Sequence, residues 1–272
     1  MKKTISILAI LSVIFCACDT IPENERTINT DLGNFKKTVL LFDFTGWQCT
    51  NCPEAARMAH NLQETAGEKL IVVSLHPKGI HWTEPTDSAL DLRSNAATEY
   101  WSFFDKPDAF PIGTVDIIPY NDNLLIDRIF WSAAIAQRIV KEMPLDLEVS
   151  CGIDTLTSKI AIKSKISASS ETSETEIYSL ILLVMENKVI GAQIDNGVRN
   201  NNYEHNHVLR DAINGVWGEP FFSPKKDDFI ERTAEYQANS AWKIKNCDVV
   251  GIIINAQTKE VVAAQTAEKV FE

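Results

Sequence analysis

Two cysteines, Cys49 and Cys52, are the residues of this chain best placed to do chemistry. They sit in the run Asp43-Phe44-Thr45-Gly46-Trp47-Gln48-Cys49-Thr50-Asn51-Cys52-Pro53. Thiols at Cys-x-x-Cys spacing can close a small disulfide, and a thiolate is the nucleophile of thiol–disulfide exchange. The positive end and free N–H groups of a helix N-terminus stabilise such a thiolate. On this reading Cys49, on the loop side, attacks, and Cys52, inside the first helical turn, resolves the mixed disulfide. A zinc site is disfavoured, because no second Cys-x-x-Cys or Cys/His pair has suitable spacing. No metal and no diffusible cofactor is expected.

The elements that must position this pair are legible on both sides of it. Thr38 to Phe44 is a nearly continuous apolar run, which suits a strand buried on both faces. A helix is predicted from Pro53 to a stop at Gly67, with Pro favoured in the first turn and Glu54 at its positive end. Leu70 to Leu75 reads as a second buried strand, completing a βαβ unit. Thr86 to Phe104 is moderately helical, Phe110 to Val115 reads as a turn entering a strand, and Trp131 to Met143 as another helix. After Pro144 the pattern changes to short strands divided by Ser, Thr, Asn and Asp: Leu145–Val149, Lys159–Ile166, Glu176–Glu186, Val249–Ile254 and Glu260–Ala264. That pattern suggests a β-sandwich. Ile194 to Lys226 carries no clear assignment.

The N-terminus reads as an address. Lys2 and Lys3 precede an apolar stretch from Thr4 to Phe15, too short to span a bilayer. Ala17-Cys18 resembles a lipobox, with Cys18 as the acylated residue and residues 1–18 as a lipoprotein signal peptide; an ordinary signal peptide is the alternative. Residues 19–34 are polar and read as a flexible tether. Export places the chain in an oxidising bacterial envelope, where disulfides persist. Among 272 residues, 26 Lys+Arg face 37 Asp+Glu, a net charge of -11 that argues against a nucleic-acid partner.

The run Val39 to Phe44 followed by Trp47 and Cys49-x-x-Cys52 resembles the thioredoxin family. That resemblance implies a thioredoxin-like domain over residues 35–144. It implies that Asp43 is a buried acid relaying a proton from Cys52. It also implies that Pro111 is a cis-proline facing the disulfide, with Phe110 offering its backbone to substrate. Trp47 and Phe110 are candidates to line an apolar substrate surface around Cys49, with burial in the core as the more common alternative for such aromatics. Two departures stand out: Gln48 separates Trp47 from Cys49, and the intervening dipeptide is Thr50-Asn51, with neither Pro nor His. The absence of His points to a less oxidising couple. A wider resemblance spans the lipobox, the motif above, Phe110-Pro111-Ile112-Gly113 and Tyr203 to Arg210. It is similar to the Bacteroidetes outer-membrane lipoprotein family named for its twenty-eight-kilodalton founder. This implies an outer-membrane location and a thioredoxin-like domain followed by an immunoglobulin-like β-sandwich over residues 145–272.

Cys151 and Cys247 remain, each beside a predicted strand of the second half. An inter-strand disulfide and two separate buried thiols are both open, since sequence gives no distance. The expected function is thiol–disulfide exchange on exported proteins, with those proteins or a redox-resetting protein as partners and a lipid anchor in the membrane. The alternative is a non-catalytic adhesin or ligand-binding lipoprotein in which the Cys49–Cys52 disulfide is structural.

Overall fold

A computed structural model describes residues 37–85, 90–173 and 175–271. The expected signal peptide and tether, and with them Cys18, lie outside the described residues. The first strand, β1 (Val39–Phe44), is buried at every position, as its apolar run demands. Residues 45–51 form a loop into α1 (Cys52–Ala66), which has Pro in its first turn, Glu54 beside it and Gly67 at its end with φ +58°. That left-handed backbone is where glycine is favoured. β2 (Leu70–Leu75) returns parallel to β1, with Asp43 in register with Ser74. α2 (Asn95–Phe103) is shorter than the sequence suggests; it begins where the Ser94 side chain accepts from Ala97 N–H. β3 (Ile112–Val115) pairs antiparallel with β1, and α3 (Trp131–Ile139) follows.

Alternation along β1 decides what each face meets. Val39 and Leu41 pack with Ala55 and Ala59 of α1 and with Trp131, Ile135 and Ile139 of α3. Leu40, Phe42 and Phe44 face the other way, into a core with Ala97, Tyr100 and Trp101 of α2. Asp43 has the parity of Val39 and Leu41, so its carboxyl lies on the α1 side.

The second half is built from β4 (Leu145–Asp154), β5 (Lys159–Ala168), β6 (Ile177–Glu186), β7 (Val189–Asp195), β8 (Val198–His205), β9 (Val208–Ala212), β10 (Glu219–Phe222), β11 (Phe229–Gln237), β12 (Cys247–Asn255), β13 (Val261–Thr266) and β14 (Glu268–Phe271). One sheet runs β13-β12-β6-β9-β2-β1-β3, with β10 also paired to β6; a second runs β11-β5-β4-β14; β7 and β8 form a hairpin of their own. Residues of β4 and β5 pack on Leu180, Leu182 and Val184 of β6 and on Val249 and Ile253 of β12, so two sheets are stacked face to face.

The large sheet crosses the change of pattern at Pro144. β2 joins β9 in parallel at Ser74 and Val208, and Ser74 N–H donates to His207 O at 2.8 Å. The opposite faces of β6 and β12 present Ile181, Leu183, Met185, Val250, Ile252 and Ile254 to the core that holds Cys49, Cys52 and α2. At ~1.5–3 kcal/mol for each buried aliphatic side chain, separating the halves would be costly. Pro144 therefore separates two kinds of secondary structure within one compact unit.

A buried ionic knot ties the same seam. Asp116 accepts from Leu40 N–H at 2.9 Å and pairs with Lys37 Nζ at 3.0 Å and Arg138 Nε at 2.8 Å. Arg138 reaches on to Glu260 at 2.6 Å, and Lys37 Nζ also donates to Val261 O. Burial holds the Lys37 ammonium below its ordinary pKa, while Asp116 pulls the other way.

Candidate functional site

Cys49 and Cys52 are joined by a disulfide, with Cα atoms 5.4 Å apart. Turn hydrogen bonds shape the loop: Cys49 N–H donates to Gly46 O and Cys52 N–H to Cys49 O. The Phe110–Pro111 peptide bond is cis. Phe44 is in register with Ile112, which puts Pro111 at the same end of the sheet as the disulfide loop. Phe110 stacks on Phe44 with ring centroids 6.2 Å apart.

Asp43 is fully buried, and its Oδ1 has no hydrogen-bond partner. Burial pushes its carboxyl up to about 7. Asp43 and Cys52 line one chamber of about 190 Å³, together with His76, Gln193, Tyr203 and His205. His76 is also buried, leaves Nδ1 unpartnered, and is held neutral by burial, which lowers its pKa to about 3. His205 packs edge-on to it at 6.2 Å and is lowered to about 4, again chiefly by burial. His205 closes β8, whereas His207 lies beyond it with φ +59°, so the two histidines do not share one strand. Among the described residues no cluster of three or more His, Cys, Asp or Glu side chains could hold a metal.

Three expectations need correction. Cys49 does not stand exposed on its loop; it is 2% accessible. Trp47 and Phe110 do not line an open surface either; both are buried. Trp47 packs with Leu92, Val189 and Val208, and its indole N–H donates to Glu84 O at 2.9 Å. Cys151 and Cys247 are not bonded to each other; both are free, buried thiols in the sandwich core.

The burial of Cys49 has two sources. The first is the segment around Trp82. Gln48 N–H donates to Trp82 O, and the Gln48 side-chain amide donates to His81 O and Glu84 O. Trp82 in turn donates its indole N–H to Asp108 O, just before the cis-proline. Gly46 is required here: a Cβ at that position would lie 2.4 Å from Trp82 O. The second source is the β7–β8 hairpin. Ile194 N–H donates to Trp47 O at 2.8 Å, and the Gln193 amide donates to Gly46 O and Cys49 O at 3.3 and 3.2 Å. Arg57 of α1 pairs with Asp195 at 3.0 Å, and Arg199 lies over the Trp47 ring at 5.4 Å.

Sequence reasoning missed this cover. One signal was available: Asn196-Gly197, between Asp195 and Val198, is a strong mark of a two-residue hairpin. Both residues have positive φ, +50° and +80°. Nothing in the pattern said that the hairpin would dock on the disulfide loop.

The model of the family described as "Outer membrane protein Omp28" matches residues 100–270. The matched span begins after the disulfide. Among solved structures, HBP35 of Porphyromonas gingivalis is similar with TM-score 0.64 at 19% identity, covering 87% of this chain and 78% of that one. A protein from Agrobacterium tumefaciens is similar with TM-score 0.51 at 14% identity, covering 85% of this chain and 94% of that one. At these identities the likeness is one of fold. A domain of the outer membrane lipoprotein Omp28 from P. gingivalis, 19% identical, covers 48% of this chain and 93% of the domain with TM-score 0.33. No curated protein matches the sequence. No helix among the described residues is long and apolar enough to cross a membrane. With more than half of its length matched, the chain belongs to the Omp28 family of outer-membrane proteins and is a protein of the bacterial outer membrane.

Proposed function

We propose that this lipoprotein, anchored through Cys18, carries out thiol–disulfide exchange on exported proteins through Cys49 and Cys52, held in a thioredoxin-like first half. The observation that carries the reading is Asp43. An unpartnered, fully buried carboxyl is costly, and a purely structural disulfide needs none. Sharing a chamber with Cys52, and poised to ionise at about 7, it suits a group that accepts and returns a proton.

In the reducing direction Cys49 ionises, giving its proton to solvent, and the thiolate attacks a substrate disulfide, forming a mixed disulfide and releasing one substrate thiolate, which takes a proton back from solvent. Ionised Asp43 accepts the Cys52 proton. The Cys52 thiolate attacks the Cys49 sulfur, closing the Cys49–Cys52 bond, and the proton on Asp43 passes to the second leaving thiolate. A dithiol protein of the envelope resets the pair by the reverse exchange. Pro111 shapes the edge of the substrate site.

The near-complete burial of Cys49 favours a second reading, in which the disulfide is structural and the β-sandwich binds a ligand. Equilibration in thiol/disulfide buffers, with alkylated Cys49 and Cys52 counted by mass spectrometry, separates the two. A midpoint within roughly −120 to −270 mV, with insulin reduction lost in Cys49→Ser, is the expected result. A midpoint below about −300 mV with no exchange overturns the exchange reading.

A further inference from the structure

Oδ1 of Asp43 and Nδ1 of His76 are buried atoms without a hydrogen-bond partner, and both residues line the chamber beside Cys52. We propose that His76 is a positioning residue for the proton relay: with Asp43 it holds chamber water, and through that water the Asp43 carboxyl exchanges protons with solvent on the α1 side. This rests on the exchange reading above and adds to it a residue and a route for the proton.

The register places the two side chains. Asp43 of β1 is paired with Ser74 of β2, and His76 follows two residues later, just past the strand, so the alternation puts all three on one face. All three line the chamber. Asp43 and His76 are closed to bulk solvent, at 1% and 2% accessible. The chamber of about 190 Å³ has room for several waters at ~30 Å³ each, and buried water pairs groups that the protein leaves unsatisfied. From Asp43, Cys52, His76 and His205 at its buried wall the lining continues to exposed His60, Glu204 and Asn206, so the same space reaches the surface.

No ion competes with this route. Burial alone raises the Asp43 carboxyl. Burial lowers His76, His205 and His207, and it raises the Tyr203 hydroxyl. Arg57 is committed to Glu54 and Asp195. His60, beside Glu64, and Glu204, beside Asn206, stand at the mouth. His76 thus supplies a neutral hydrogen-bonding group at a fixed place. A water bonded to its free nitrogen keeps an O–H to donate to the Asp43 carboxylate, whether that nitrogen accepts from the water or donates to it. Asp43 gives the proton taken from Cys52 to this water, the water passes it outward, and the leaving thiolate takes one from solvent. The proton balance of the exchange is unchanged.

The test uses the full, oxidised chain in detergent, in which Cys52 does not titrate. Asp43 is read directly from its side-chain carboxyl carbon by NMR, assigned by its loss in Asp43→Asn. His76→Phe keeps a ring but removes the hydrogen-bonding nitrogens from the chamber. The Asp43 midpoint should move up by about one pH unit, because the carboxylate loses a donor. His76→Asn, whose amide restores a polar atom near the same place, should titrate close to wild type. An unchanged midpoint in His76→Phe, or an equal shift in both variants, overturns the proposal. If the variants do not fold, wild type still decides. With nitrogen-labelled histidine, the His76 ring signals should move with the Asp43 midpoint while staying in the neutral range; signals that ignore that titration overturn the proposal.

Exchange gives the second readout. A midpoint one pH unit higher leaves about a fifth as much Asp43 ionised at pH 7, but about nine-tenths of it ionised at pH 9. Insulin reduction by His76→Phe should therefore be about fivefold slower than wild type at pH 7 and near wild type at pH 9. Slowing by the same factor at both pH values marks a merely structural role and overturns the proposal. Failure of the exchange reading looks different: Asp43 would titrate and shift as described, while neither wild type nor variant reduced insulin.

Discussion

Asp43 and Cys52 line one small chamber, Asp43 from the sheet and Cys52 as the first residue of α1. Burial raises the Asp43 carboxyl to about 7, so the folded protein keeps its proton where the unfolded chain, ionising near 3.9, has lost it. Stability therefore falls as pH rises from about 4 to about 7 and levels off above that, by up to ~4 kcal/mol. Asp43→Asn should remove this slope. The variant is expected to be more stable than wild type at pH 8 and to show no advantage at pH 4, in urea unfolding at both pH values. The same substitution should slow exchange at pH 7 by roughly 100-fold, because no group then takes the Cys52 proton. A more stable variant with undiminished exchange would remove Asp43 from the reaction.

The knot around Asp116 is a matter of stability alone. Its carboxylate holds two cations and a backbone N–H at the seam between the halves. Removing it leaves Lys37 buried without its counter-charge. Asp116→Ala is expected to cost ~3–5 kcal/mol in denaturant unfolding. Replacing Lys37 by Met in the same background should recover part of the loss, since an apolar side chain tolerates that site better than an unpaired ammonium.

How much of this was legible before the structure depends on which residues carried the signal. β1, α1 and β2 were readable because Val39 to Phe44 and Leu70 to Leu75 are apolar on both faces, and because Pro53 and Gly67 punctuate the helix between them. The place of the cysteine pair followed from those elements. The exposure of the pair did not. An apolar pattern says that a residue such as Trp47 is covered or covering, and not by what. The cover comes from Gln193, Ile194 and Trp82, far away in sequence, and Gln193 looks like any loop residue until its amide is seen between two carbonyls. The sharing of one core by β1, β6 and β12 was hidden for a related reason. β6 reads as a buried strand whether its second face meets a helix, a sheet or the other half of the chain.

Cys151 and Cys247 illustrate what burial does to thiol chemistry. Both are free and both lie in the sandwich core. Cys247 donates to Lys243 O at 3.7 Å, and burial, reinforced by Glu186, pushes its thiol up to about 12. Burial raises Cys151 as well. At pH 8 neither should carry appreciable thiolate. Alkylation of both in the native protein is expected to run at least about a thousandfold slower than in denaturant, read site by site from peptide masses. Rapid native labelling of either residue would mean that the sandwich opens there.

Gly46 offers a test of the other half of the cover, the segment around Trp82. A methyl group at residue 46 would sit 2.4 Å from the Trp82 carbonyl oxygen and 3.1 Å from Thr83 Cγ2. Backbone cannot yield as a side-chain tip does, so Gly46→Ala must push the segment off the loop and stretch the hydrogen bond from Gln48 N–H to Trp82 O. A loss of ~1–3 kcal/mol in global stability is expected, as for other overpacked sites. Over and above that loss, the Cys49–Cys52 disulfide should become more accessible to reductant, because the segment that screens it has moved. A conservative change in the same segment, Thr83→Val, keeps the methyl group that faces Gly46 and removes the Thr83 hydroxyl donation to Pro77 O and Ile80 O. It should cost stability while leaving accessibility nearer to wild type. Equal accessibility in all three proteins at matched stability would show that the Trp82 segment does not screen the disulfide, and that the hairpin covers it alone.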